Sequence, residues 1–137
     1  MKRTLLGILV LGLISTEAEL LFLGHDESPI QFIPLILIGL GLLVIGWHLM
    51  SESSSSLLAM RVTMTLFIAA GMLGIALHYR GSLEFQKELD PSIRGFALFM
   101  KAMQSKAPPA LAPGVMAYLG LVGLVCSYRL TDRREKI

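Results

Sequence analysis

Charge is scarce in this chain. Asp, Glu, Lys and Arg make up 16% of its 137 residues, against about 25% in soluble domains. The formal net charge is +2 and no basic stripe runs along any segment, so no nucleic-acid partner is expected. Cysteine is almost absent. Cys126 stands alone, which rules out an internal disulfide, and its place in an apolar run fits a small packed hydrophobe. No Walker loop, Gly-x-Ser-x-Gly elbow, Cys-x-x-Cys pair or His-Glu-x-x-His helix occurs. Gly39, Gly41 and Gly46 sit inside an apolar run and make no nucleotide fingerprint. These absences weigh against an enzyme.

What the chain has is hydrophobicity. Apolar residues reach 54% and the mean hydropathy is +0.68, more than a soluble core of this size needs. A spanning helix takes roughly 20 mostly apolar residues, because the hydrocarbon layer is about 30 Å thick. Four stretches qualify, at 4–24, 30–50, 57–79 and 113–130. Open sheet is excluded, since lipid cannot satisfy its backbone groups. The expected fold is therefore all-α: one integral membrane domain, a four-transmembrane-helix bundle with an extramembrane amphipathic helix between the third and fourth spans.

The breaks have their own chemistry. His25-Asp26-Glu27-Ser28-Pro29 reads as a polar turn, with Pro29 suited to the first turn of the next helix. The six residues from Ser51 to Ser56 read as a flexible polar hairpin. Ala107-Pro108-Pro109 cannot continue a helix, and Pro113 suits the start of the last span. Lys2 and Arg3 precede the first span; Arg129, Arg133, Arg134 and Lys136 close or follow the last. Four crossings put both ends on one side, and basic ends place that side in the cytoplasm. The loop with Arg80, Lys87, Arg94, Lys101 and Lys106 opposes this orientation. The first 18 residues also resemble a signal peptide, but Leu20-Leu21-Phe22-Leu23 carries the apolar run on to spanning length.

The segment 80–109 is the sizeable extramembrane region. Asp90-Pro91 reads as an N-cap followed by Pro at the first helical position. Ile93, Phe96, Phe99, Met100 and Met103 then share one arc at helical spacing, with Arg94, Lys101 and Ser105 opposite. Such a helix suits the membrane interface or a docked place on the bundle. Residues 82–89 fit either a strand or a helix.

Few side chains invite chemistry. Glu17 and Glu19 lie inside the first span, where an ionisable residue is a functional candidate. At mid-membrane each costs about 2.5–3.5 kcal/mol, while each large apolar residue returns roughly 0.3–0.6 kcal/mol, so the span still inserts. Apolar surroundings favour the neutral acid, and Arg80 is the cation nearest in depth. Being two apart, the two acids cannot face one neighbour. His25 and His78, with Glu84 and Glu88, form a loose set that can supply ligands to a divalent metal, although no tight spacing supports it. Haem needs two axial ligands at one depth, which the histidines do not offer. No cofactor is expected. His48 beside Trp47 reads as an interfacial anchor, and Arg61 as a snorkelling cation. Gly12/Thr16, Ala70/Gly74 and Gly123/Ser127 are small pairs that permit close helix packing.

His78-Tyr79-Arg80-Gly81, Glu84-Phe85, Asp90-Pro91-Ser92 and the run from Ala107 to Gly114 give the chain its likeness to a family. Over most of its length it resembles a group of uncharacterised small bacterial four-helix integral membrane proteins. The resemblance implies a bacterial inner-membrane setting and assigns no catalytic residue. The expected function is a non-enzymatic accessory, assembly or scaffold subunit of a membrane complex, touching the lipid bilayer and other membrane proteins or copies of itself. The alternatives are a small transporter or proton/ion-handling protein using an intramembrane Glu, and a metal- or cofactor-binding membrane protein.

Overall fold

The computed structural model describes residues 2–24, 28–104 and 111–131, and the description below refers to these. They form five α-helices and no strand: α1 Lys2–Phe22, α2 Phe32–Ser51, α3 Ser54–Leu89, α4 Gly95–Met103 and α5 Leu111–Thr131. Four of them, all but α4, are long and apolar enough to cross a membrane. This marks the chain as a membrane protein. His25, Asp26 and Glu27, the Ala107-Pro108-Pro109 break, Ser105, Lys106, and the basic residues Arg133, Arg134 and Lys136 lie outside the described residues.

The long helices pack in a ring. α3 lies most closely against α5 and next against α2, and α1 closes the ring through α5 and α2. Leu9, Leu13, Ile38, Met60, Met64 and Phe67 fill the centre with almost no exposed surface, and Cys126 packs among the apolar residues there. The outside is equally apolar. Leu11, Ile36, Leu43, Leu58 and Tyr128 are all more than half exposed, a surface that lipid covers without penalty and water does not.

Gly71 and Gly120 explain why α3 and α5 lie so close. A Cβ on Gly71 would stand 2.6 Å from the Ala117 nitrogen, and one on Gly120 would stand 2.7 Å from the Met64 carbonyl oxygen. Each glycine therefore meets the backbone of the other helix, the contact that small residues allow in the absence of a water-driven force between helices. Two hydroxyls inside the spans turn back on their own helices. Thr16 donates to the Gly12 carbonyl at 2.8 Å and Ser127 to that of Leu124 at 2.8 Å.

Several sequence expectations change at the helix ends. Pro29 lies in a turn ahead of α2, where Gln31 Oε1 accepts from the Ser28 N–H at 2.9 Å, and Phe32 opens the helix. The serine hairpin is reduced to two residues between helices, Glu52 and Ser53. Residues 82–89 continue α3, so this helix runs ten residues beyond the expected end of the third span at 79. Asp90 closes α3 as its C-cap rather than opening α4 as an N-cap, and Arg94 holds the N-cap position. The reason is local. Asp90 Oδ1 accepts from the Ser92 hydroxyl at 2.6 Å and the Ser92 N–H at 3.0 Å, a turn that uses the carboxylate before a helix can.

Candidate functional site

Polar side chains gather at three levels of the bundle. At the α2–α3 connection the sequence is almost all serine, and serine hydroxyls bond readily to nearby backbone. Ser53 caps α3 by accepting from the Ser56 N–H at 3.1 Å. Ser56 is wholly buried and its Oγ shares a 2.8 Å hydrogen bond with His48 Nδ1. The Ser53 hydroxyl donates to the same oxygen at 3.1 Å, and the Ser51 hydroxyl donates to the Trp47 carbonyl at 3.0 Å. His48 retains only 6% of its surface. It is thus an internal tie between α2 and α3 rather than an interfacial anchor. Nothing in the sequence distinguishes Ser56 from its neighbours; only its burial does. Nearby, the Arg61 guanidinium lies 4.6 Å from the centroid of the Tyr128 ring, within cation–π range, so it joins α3 to α5.

Glu17 occupies the second level. Its α1 turn is half-buried, and Oε2 is fully enclosed with no hydrogen-bond partner among the described residues. Glu19 faces outward and is exposed. Arg80 does not reach either acid: its Nε donates to Glu84 Oε1 at 2.9 Å, one turn along α3, with both side chains mostly exposed.

The third level is the hairpin of the α3 extension and α4. Leu98 and Ala102 are buried where α4 meets α3. The Tyr79 and Phe99 rings meet edge-on with centroids 6.0 Å apart, and Phe96 stacks on Phe99 at 6.1 Å. Of the arc expected to dock, Ile93 is buried but precedes α4, Met100 and Met103 are half-buried, and Phe99 and Phe96 are exposed, Phe96 by 75%. Docking therefore uses a neighbouring face of α4 and leaves part of the apolar arc bare. The Ser92 hydroxyl and N–H hold the Asp90 carboxyl below the ordinary carboxylate range.

His78, Glu84 and Glu88 are exposed along the outer part of α3, while His25 lies outside the described residues. Among the described residues no three His, Cys, Asp or Glu side chains gather closely enough to hold a metal ion. The structure thus brings together His48 with the serines, Arg61 with Tyr128 and Arg80 with Glu84; it does not bring Arg80 to Glu17. Comparison with protein-family models, with curated proteins and with solved structures finds no match to this chain.

Proposed function

We propose that this chain is a non-enzymatic accessory or scaffold subunit of a bacterial inner-membrane complex, with both ends in the cytoplasm and the α3–α4 hairpin on the opposite side. The length of α3 carries this reading. Its 36 residues measure about 54 Å at 1.5 Å per residue, and the bilayer with its headgroups is about 40–45 Å thick. The end of α3 and α4 thus stand clear of the hydrocarbon while exposing Phe85, Leu89 and Phe96 by 55%, 67% and 75%. Bare aromatic and aliphatic groups outside lipid mark a surface that another protein, or a second copy, covers. The test is purification in mild detergent of the wild type and of Phe85→Asp and Phe96→Asp. A defined partner or dimer that is lost in both variants, with helicity and membrane insertion unchanged, is the expected result. A wild-type chain that runs as a lone monomer overturns the reading.

A second reading, proton or ion handling, rests on the enclosed Glu17 Oε2. A carboxyl oxygen enclosed with no partner among the described residues costs stability, and a functional role gives a reason to keep it. Gln preserves the shape and a hydrogen-bond donor. Loss of function in Glu17→Gln with normal assembly supports this reading. Loss only in Glu17→Leu points to a structural hydrogen bond, and normal behaviour of both variants removes Glu17 from consideration.

A further inference from the structure

The turn between α3 and α4 shapes a cavity of about 410 Å³ lined by Lys87, Pro91, Ile93 and Arg94, within the range of small-ligand sites, ~300–1,000 Å³. Its walls are held locally. The proline ring fixes φ at Pro91. Ile93 is buried, and its N–H donates to the Asp90 carbonyl at 3.1 Å. Lys87 sits in the last turn of α3, and Arg94 follows Ile93 in extended backbone at the N-cap of α4. Two cations therefore reach one concavity from the two sides of the turn.

Among the described residues no acid lines this cavity. Neither the Lys87 nor the Arg94 side chain has a hydrogen-bond or ion-pair partner among them, whereas Arg80 is taken by Glu84 at 2.9 Å. Asp90 is the carboxylate within the turn, and it is engaged. The Ser92 hydroxyl and N–H bond it, and the Lys101 charge also acts on it. Glu88 is exposed and lies outside the lining. Lys and Arg both stay charged at neutral pH, so two positive charges stand beside the apolar Pro91 and Ile93. That pairing selects a doubly charged anion on a small organic body. A phosphomonoester carries about −1.5 to −2 at pH 7, with oxygens for both the guanidinium fork and the ammonium. A carboxylate offers a single charge. Depth decides the source. From Tyr79, the expected end of the span, to Lys87 the helix rises roughly 12 Å, while a headgroup layer is about 5–8 Å thick. Lipid phosphates of the same bilayer thus lie below the cavity.

We propose that the α3–α4 turn is a binding site for a water-borne phosphomonoester, its phosphoryl group between Lys87 and Arg94 and its organic body against Pro91 and Ile93. The full chain in phosphatidylcholine nanodiscs is titrated calorimetrically with phenyl phosphate and with benzoate at constant ionic strength. Phenyl phosphate is expected to saturate one site per chain and to bind about tenfold more tightly than benzoate, the worth of one added charge-assisted contact. Lys87→Gln and Arg94→Gln are each expected to weaken phenyl phosphate by about the same factor, with unchanged helicity. Arg80→Gln, outside the cavity, is expected to leave it unchanged. Absence of saturable binding overturns the proposal, and so does equal weakening by all three variants, which marks a diffuse charge effect. Discs containing phosphatidic acid or phosphatidylglycerol at matched surface charge separate the sources. Binding that persists in both supports a ligand from water, and binding lost to phosphatidic acid alone refutes it in favour of a lipid headgroup. The wild-type titration decides the matter whether or not the chain has a protein partner.

Discussion

At the residue scale, the side chains that matter for stability are those whose polar atoms have no water to fall back on. His48 and Ser56 are each other's partner inside the bundle. Ser56 Oγ also donates to the Ser53 carbonyl at 2.9 Å, so removing either residue of the pair loses one buried hydrogen bond, worth about 0.5–1.5 kcal/mol. His48→Ala and Ser56→Ala are each expected to lower stability by that amount in denaturant titrations in micelles. The double variant is expected to cost clearly less than the sum, because both changes remove the same bond. Additive losses would show that the 2.8 Å bond is not the source of the effect. Glu52 adds a small strain of its own. It takes a left-handed conformation without being glycine, and its N–H satisfies the His48 carbonyl at 2.8 Å. The end of α2 and the burial of its histidine thus depend on one short connection.

At the element scale, the α3–α5 contact decides whether the helices form one body. A methyl group on Gly71 or Gly120 meets backbone of the facing helix, which cannot rotate away as a side chain can. Gly71→Ala and Gly120→Ala are expected to destabilise by about 1–3 kcal/mol, the cost of overpacking. Gly39→Ala and Gly46→Ala serve as controls, since no atom lies within 4 Å of either Cβ. These are expected to be neutral, or to gain up to roughly 1 kcal/mol from helix propensity. Thermal unfolding of the four variants in one detergent separates the classes, and similar losses in all four would refute the packing argument. The expected small pairs held part of this information. Gly74 and Gly123 do meet Pro113 and Met64. Gly71 and Gly120, which touch backbone, stand outside those pairs, because spacing along one helix does not say which face the partner helix takes.

At the scale of the whole molecule, topology is the property with the widest consequences. The reading with both ends in the cytoplasm rests on basic residues near the two ends of the chain, against five cations in the segment 80–109. A reporter fused after Ile137 is expected to be active only in the cytoplasm; a periplasmic signal reverses the orientation and moves the α3–α4 hairpin to the other side. The serine connection and Glu52 lie at the opposite end of α3 from the hairpin.

Composition and run length alone settled that this chain has four helices able to cross a membrane, because twenty apolar residues have few other stable uses. Their positions followed to within a few residues wherever an apolar run met a polar break. The sequence was silent where polarity and helix end do not coincide. Residues 80–89 are charged yet stay helical, in a helix against which α4 packs. The candidate sites were less legible still. Glu17 stood out as an acid in an apolar run, and the structure encloses one of its oxygens. Arg80 belongs to Glu84, His48 to Ser56 and Arg61 to Tyr128. The first follows from i,i+4 spacing on one helix; the other two were decided by tertiary structure, because the rotation of each helix about its axis fixes which polar groups face each other, and the four long helices carry apolar residues on all sides.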